Sequence, residues 1–138
     1  MSRTTKIFIA VVVAGAALCV TYPVWYLAVT SWRVRHANPS AVLAGCREMI
    51  ANRDSYQGKR TDWPADRGVY IDFTVRPVDR RIPKVIQGLH PGYAIIESNS
   101  VLVVFLGGFS HLGYQAFAEG VEGSGTEKLA DGLWLIHD

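Results

Sequence analysis

Two cysteines in 138 residues, with no Cys-x-x-Cys and no His-x-x-x-His, leave little from which to build a structural metal site or a disulfide framework. Cys19 falls in an uncharged run and Cys46 in a mixed one, so the two occupy different environments and no intramolecular bridge is expected. Cys46 sits at an apolar helical position and reads as a small buried hydrophobe, with an intermolecular bridge as the alternative. Gly120, Gly123 and Gly125 lack the Gly-Lys-Ser/Thr ending of a phosphate-binding loop. They also lack the strand-to-helix setting of a dinucleotide turn. There is no Gly-x-Ser-x-Gly nucleophile turn. Ser110 and His111 are adjacent, and neighbours in an extended chain point to opposite faces. No internal repeat is present. The sequence therefore assigns no catalytic residue, no metal and no cofactor.

Net charge is also small. Fourteen Lys and Arg against 12 Asp and Glu give +2, which is no nucleic-acid signature, and no nucleic-acid partner is expected. A hydrophobic share of 49% with 19% charged residues is too apolar for a disordered chain. It is too charged for a chain embedded in a bilayer throughout.

What is present is distributed unevenly. Residues 7–29, IFIAVVVAGAALCVTYPVWYLAV, carry no charge. At 1.5 Å per residue these 23 positions make roughly 34 Å of helix, enough to cross a hydrocarbon core of about 30 Å. Tyr22, Trp25, Tyr26 and Trp32 gather at the far end, as an interfacial belt does. A cleaved signal peptide is the competing reading, because Arg3 and Lys6 make a basic start and Ala14-Gly15-Ala16 resembles a cleavage site. The apolar run continues well past Ala16, which favours an uncleaved anchor. Cys19 as a lipidation site is disfavoured by Leu18, where a small residue is needed. The expected organisation is a basic tail at 1–6, a single transmembrane helix at 7–29, a juxtamembrane linker at 30–37 and a soluble α+β domain at 38–138. Arg3 and Lys6 nearly balance Arg33 and Arg35 across the span, and the far-end aromatics tip the reading toward a domain on the non-cytoplasmic side.

Within the domain, Asn38 followed by Pro39 suits a helix start, and Val42, Leu43, Cys46, Met49 and Ile50 form one apolar stripe after it. Arg47, Glu48, Asn52 and Arg53 take the other faces. Residues 55–68 read as a surface loop. Val69, Ile71, Phe73 and Val75 alternate as in a strand. Ile82, Val85, Ile86 and Leu89 mark a short helix begun near Pro83 and stopped by His90-Pro91. Residues 93–97 and 101–106 pair across Ser98-Asn99-Ser100, 112–118 adds a strand, a glycine-rich loop follows, and 132–137 closes the sheet. The fold class is α+β, with two helices and an antiparallel sheet of four to five strands.

Two features suggest where the domain acts. Gly107 and Gly108 interrupt two strands, and His111 and Tyr114 follow them, so a small pocket there is the binding reading and an aromatic-covered bend the plain one. Charge divides along the chain: residues 30–84 hold 11 Lys and Arg against six acids, and residues 85–138 one Lys against six acids. The halves either face each other as internal ion pairs or present a docking face, with Arg76, Arg80, Arg81 and Lys84 as its basic centre. The expected function is a membrane-anchored, non-enzymatic interaction or accessory module. Its partners are the lipid bilayer through residues 7–29 and a protein. The alternative is a ligand-binding or enzymatic domain with its site around Gly107–Tyr114.

Overall fold

A computed structural model describes residues 2–56, 63–75, 77–106 and 111–137. The chain divides into two compact units, Met1–Arg35 and His36–Asp138.

The first unit is a single helix, α1 (Arg3–His36). It runs at both ends beyond the uncharged stretch, so residues 30–36, expected as a linker, are helical, and so is most of the basic tail. Nothing in residues 30–36 breaks a helix; the first proline afterwards is Pro39. Pro23 lies inside the helix. Two residues earlier, the Thr21 hydroxyl donates to the Ala17 carbonyl at 2.9 Å. Tyr22 and Tyr26, one turn apart, stack with ring centroids 6.5 Å apart. The helix is long and apolar enough to cross a membrane.

The second unit is α+β, as the sequence pattern predicts. Helix α2 (Pro39–Ala51) starts where the cap was expected: Asn38 Oδ1 accepts from the backbone N–H of Ser40 at 3.0 Å and of Ala41 at 3.3 Å. Strand β1 (Val69–Asp72) stops three residues earlier than its alternation suggests. The Asp72 carboxylate accepts the Thr74 N–H at 2.8 Å, folding the chain into a turn and ending the ladder. Helix α3 (Lys84–Gly88) follows Pro83, and His90, at φ 56°, turns the chain into Pro91. Strands β2 (Tyr93–Ile96), β3 (Ser100–Leu106) and β4 (Leu112–Phe117) form the expected meander. The glycine-rich segment then yields β5 (Glu127–Ala130), which turns at Asp131-Gly132 into β6 (Leu133–His137). Gly132 adopts φ +87°, which a residue with a Cβ rarely does.

The sheet has six strands in the order β1-β2-β3-β4-β6-β5, every pair antiparallel. The expected four to five strands become six because β5 forms an extra edge. Register across the sheet aligns Ile71, Ala94, Val103, Tyr114 and Leu135 in one row. Ile96, Val101, Ala116 and Leu133 align in a second row on the same side. All nine are buried, together with Val42, Cys46 and Met49 of α2 and Ile86 of α3, and these residues make the core. The two helices meet at Gly45, where an added Cβ would lie 2.7 Å from Val85 Cγ1.

Candidate functional site

Of the residues singled out around Gly107–Tyr114, the two that are described, His111 and Tyr114, do not converge. Gly107 and Gly108 lie outside the described residues. His111 is exposed at the start of β4, beside an opening of about 350 Å³ bordered by Tyr93, Leu102, Val104, Gly113 and Ile136. Tyr114, three residues on, has the opposite parity and points into the core, where its ring meets Phe105 edge-on at 5.3 Å. Burial, with Cys46 beside it, pushes the Tyr114 hydroxyl above the ordinary tyrosine range. His111 and Tyr114 therefore serve opposite faces of one sheet.

The basic cluster is only partly free. Arg76 lies outside the described residues. Arg80 and Lys84 are exposed and have no charged partner among the described residues. Arg81 grips Asp79 with both prongs of its guanidinium, Nε to Oδ1 at 3.0 Å and Nη2 to Oδ2 at 2.7 Å. Its charge is thereby largely spent inside its own turn. The same locality marks Arg53 with Asp54 at 3.3 Å and Lys128 with Asp131 at 2.8 Å. These three pairs join near neighbours in the chain and do not bridge its basic and acidic halves.

A charged side chain does reach across between the halves, and sequence reasoning missed it. Arg47 stands on α2, off the apolar stripe, yet its Nε–H donates to the Phe117 carbonyl at the end of β4 at 3.3 Å. Its Nη2 comes so near Gly132 that an added Cβ there would be 3.1 Å away. Around this half-buried guanidinium opens a cleft of about 490 Å³, walled by Glu122 of the glycine-rich loop, by Lys128 and Asp131 of the β5–β6 hairpin, and by Trp134. Lys128 Nζ lies 5.9 Å from the centroid of the Trp134 ring. The Asp131 carboxyl is held below its ordinary value, first by its hydrogen bond and charge contact with Lys128 and more weakly by Arg47. The glycine-rich loop was the one readable signal, since glycines let its backbone lie close to its neighbours. An added Cβ on Gly125 would stand 2.5 Å from Trp134 Cβ. Chemically, the cleft offers an arginine fork, a carboxylate and an indole wall. Among the described residues no group of His, Cys, Asp and Glu is placed to hold a metal ion.

Fold and site together define a class, a long apolar helix joined to a small α+β unit with a six-stranded antiparallel sheet. No family model matches the chain, and no curated protein or solved structure is detectably similar to it.

Proposed function

We propose that the protein is a single-pass membrane protein in which an uncleaved helix α1 anchors the α+β unit at the bilayer surface, where it serves as a non-enzymatic module that engages a protein partner. The observation that carries the tether is α1 itself: its most apolar stretch is 0% buried, and Phe8, Val20 and Trp25 are 69%, 68% and 62% exposed. In water each such side chain gives up roughly 1.5–3 kcal/mol that burial in lipid would recover. Thirty-three helical residues span about 50 Å, more than the hydrocarbon thickness, which leaves turns at each end for the interface. The flanking charges nearly tie, and the aromatics Tyr22, Trp25, Tyr26 and Trp32 at the far end favour a domain on the non-cytoplasmic side.

The interaction role is supported by exposed Arg80 and Lys84 together with the acid-rich second half of the chain, a charge division that suits an electrostatically complementary surface. A ligand site around Gly107–Tyr114 is the weaker reading, because Tyr114 is committed to the core.

The tether is tested by washing membranes from cells that make the full chain with alkaline carbonate, then taking the intact mass. Retention in the pellet at the full-length mass of 15.2 kDa is expected; release, or a chain shortened near residue 16, overturns the anchor. Protease treatment of sealed vesicles fixes the side, with digestion of the domain only after lysis expected if the vesicles enclose the non-cytoplasmic face. For the interaction role, proteins co-purifying from gently solubilised membranes are compared between the native chain and one with Arg76, Arg80, Arg81 and Lys84 all changed to Glu. Capture that is unchanged by the reversal rules out the basic docking face.

A further inference from the structure

We infer that the cleft beside Arg47 binds a small zwitterion, an α-amino acid or dipeptide that carries one carboxylate and one ammonium. The Arg47 guanidinium is positioned by a hydrogen bond but held in no ion pair among the described residues. Arg47 is half-buried, its Nε–H is used on the Phe117 carbonyl, and among the described residues no carboxylate forms an ion pair with it, the Asp131 charge acting on it only more weakly than Lys128 acts on Asp131. That single hydrogen bond fixes the plane of the fork and leaves the terminal NH2 groups to meet a planar acceptor with two oxygens. Gly132 makes room for it, since a Cβ at that position would press on Nη2.

The remaining charges decide what accompanies that acceptor. Lys128 and Asp131 compensate each other across 2.8 Å. Glu122 lines the same cleft with no charged partner among the described residues. One cation and one anion are therefore left to a ligand, and the four charged walls sum to zero. A neutral lining is a poor host for a polyphosphate or a nucleic-acid backbone, which need an excess of positive charge. It suits a molecule with both signs. The volume of about 490 Å³ falls in the range of small-molecule sites, and Trp134 supplies an apolar wall for a side chain. Every residue of this cleft lies in the α+β unit, so its binding does not depend on whether α1 anchors the chain.

The test is calorimetric titration of the detergent-solubilised full chain with glycine, leucine, glutamate and glycylglycine, with acetate and methylammonium as single-charge controls. At least one zwitterion should bind saturably and about tenfold more tightly than either control. Arg47→Lys keeps the charge but loses the fork and should weaken that binding about tenfold. Glu122→Gln lies on the surface, so the melting temperature should not move, while the zwitterion loses affinity and acetate is unaffected. If Arg47→Lys fails to fold, Glu122→Gln decides. Absence of saturable binding below about 10 mM, acetate binding as tightly as the zwitterions, or binding indifferent to the Glu122 change overturns the proposal.

Discussion

At the scale of single residues, one polar atom among the described residues of the second unit contradicts its surroundings. The Tyr56 hydroxyl is buried and has no hydrogen-bond partner among the described residues. Burial first, then the negative charges of Glu48 and Asp79, push its pKa up, while Arg81 partly opposes them. A hydroxyl stripped of water without a partner costs about 1–3 kcal/mol, whereas the ring around it is ordinary core. Tyr56→Phe should therefore keep or raise stability, by up to about 1 kcal/mol, where most large-to-small core changes cost several. Denaturant unfolding of the two proteins measures this. A loss greater than about 1 kcal/mol would mean that the hydroxyl has a partner after all. Arg47 teaches the complementary lesson. Helical spacing puts it off the apolar stripe, where a sequence reader expects solvent, and only a carbonyl 70 positions away makes it a cleft wall. No local pattern carries that information. The pocket reading put His111 and Tyr114 together, although residues three apart on a strand take opposite faces, as the two do here.

At the scale of elements, legibility followed the strength of local signals. The Asn38 cap, the turn at Ser98-Asn99-Ser100 and the short α3 each rest on chemistry within a few residues, and each stands where it was expected. Strand β5 was invisible because Glu-Lys-Leu-Ala has no alternation and follows a run of glycines; it is a strand because β6 offers it a ladder. The contact between α2 and α3 is equally non-local, and it gives a prediction whose sign turns on two glycines. In isolation, Gly→Ala in a helix gains about 1 kcal/mol. At Gly45 the new methyl would meet Val85 Cγ1 at 2.7 Å and both Ile86 and Pro83 at 3.3 Å. The crowding should cost about 1–3 kcal/mol, exceeding the propensity gain. At Gly88 a new methyl meets nothing within 4 Å. Gly45→Ala should lower the melting temperature and Gly88→Ala should not. Equal effects from the two substitutions would mean that α2 and α3 are not in close contact.

At the scale of the whole molecule, the folded unit should be most vulnerable to base, because the groups that fold in neutral form are weak acids. Burial raises the Cys46 thiol from an ordinary 9.0 to about 12, and Tyr114 moves in the same direction from its ordinary 10.0. Both are buried in the core between α2 and the sheet, so neither can ionise without opening it. The sign follows from proton counting. Above pH 9 the unfolded chain releases these protons and the folded chain retains them. The folded state then binds more protons, and stability falls as pH rises. The stabilisation is fully present below about pH 9 and is lost progressively toward pH 12, in total on the order of a few kcal/mol. Cys46→Ala separates this effect from general alkaline damage. It removes a sulfur from the core and should cost about 1–2 kcal/mol at neutral pH. It also removes one of these titrations and leaves those of Tyr56 and Tyr114, so its stability should fall less steeply between pH 9 and pH 12, and the two curves should converge. Denaturant titrations of the native chain and the variant across that interval, followed by the sheet's circular dichroism, give the two slopes. Parallel curves would show that the thiol titrates alike in folded and unfolded chains, and that the cysteine behind α2 is open to solvent.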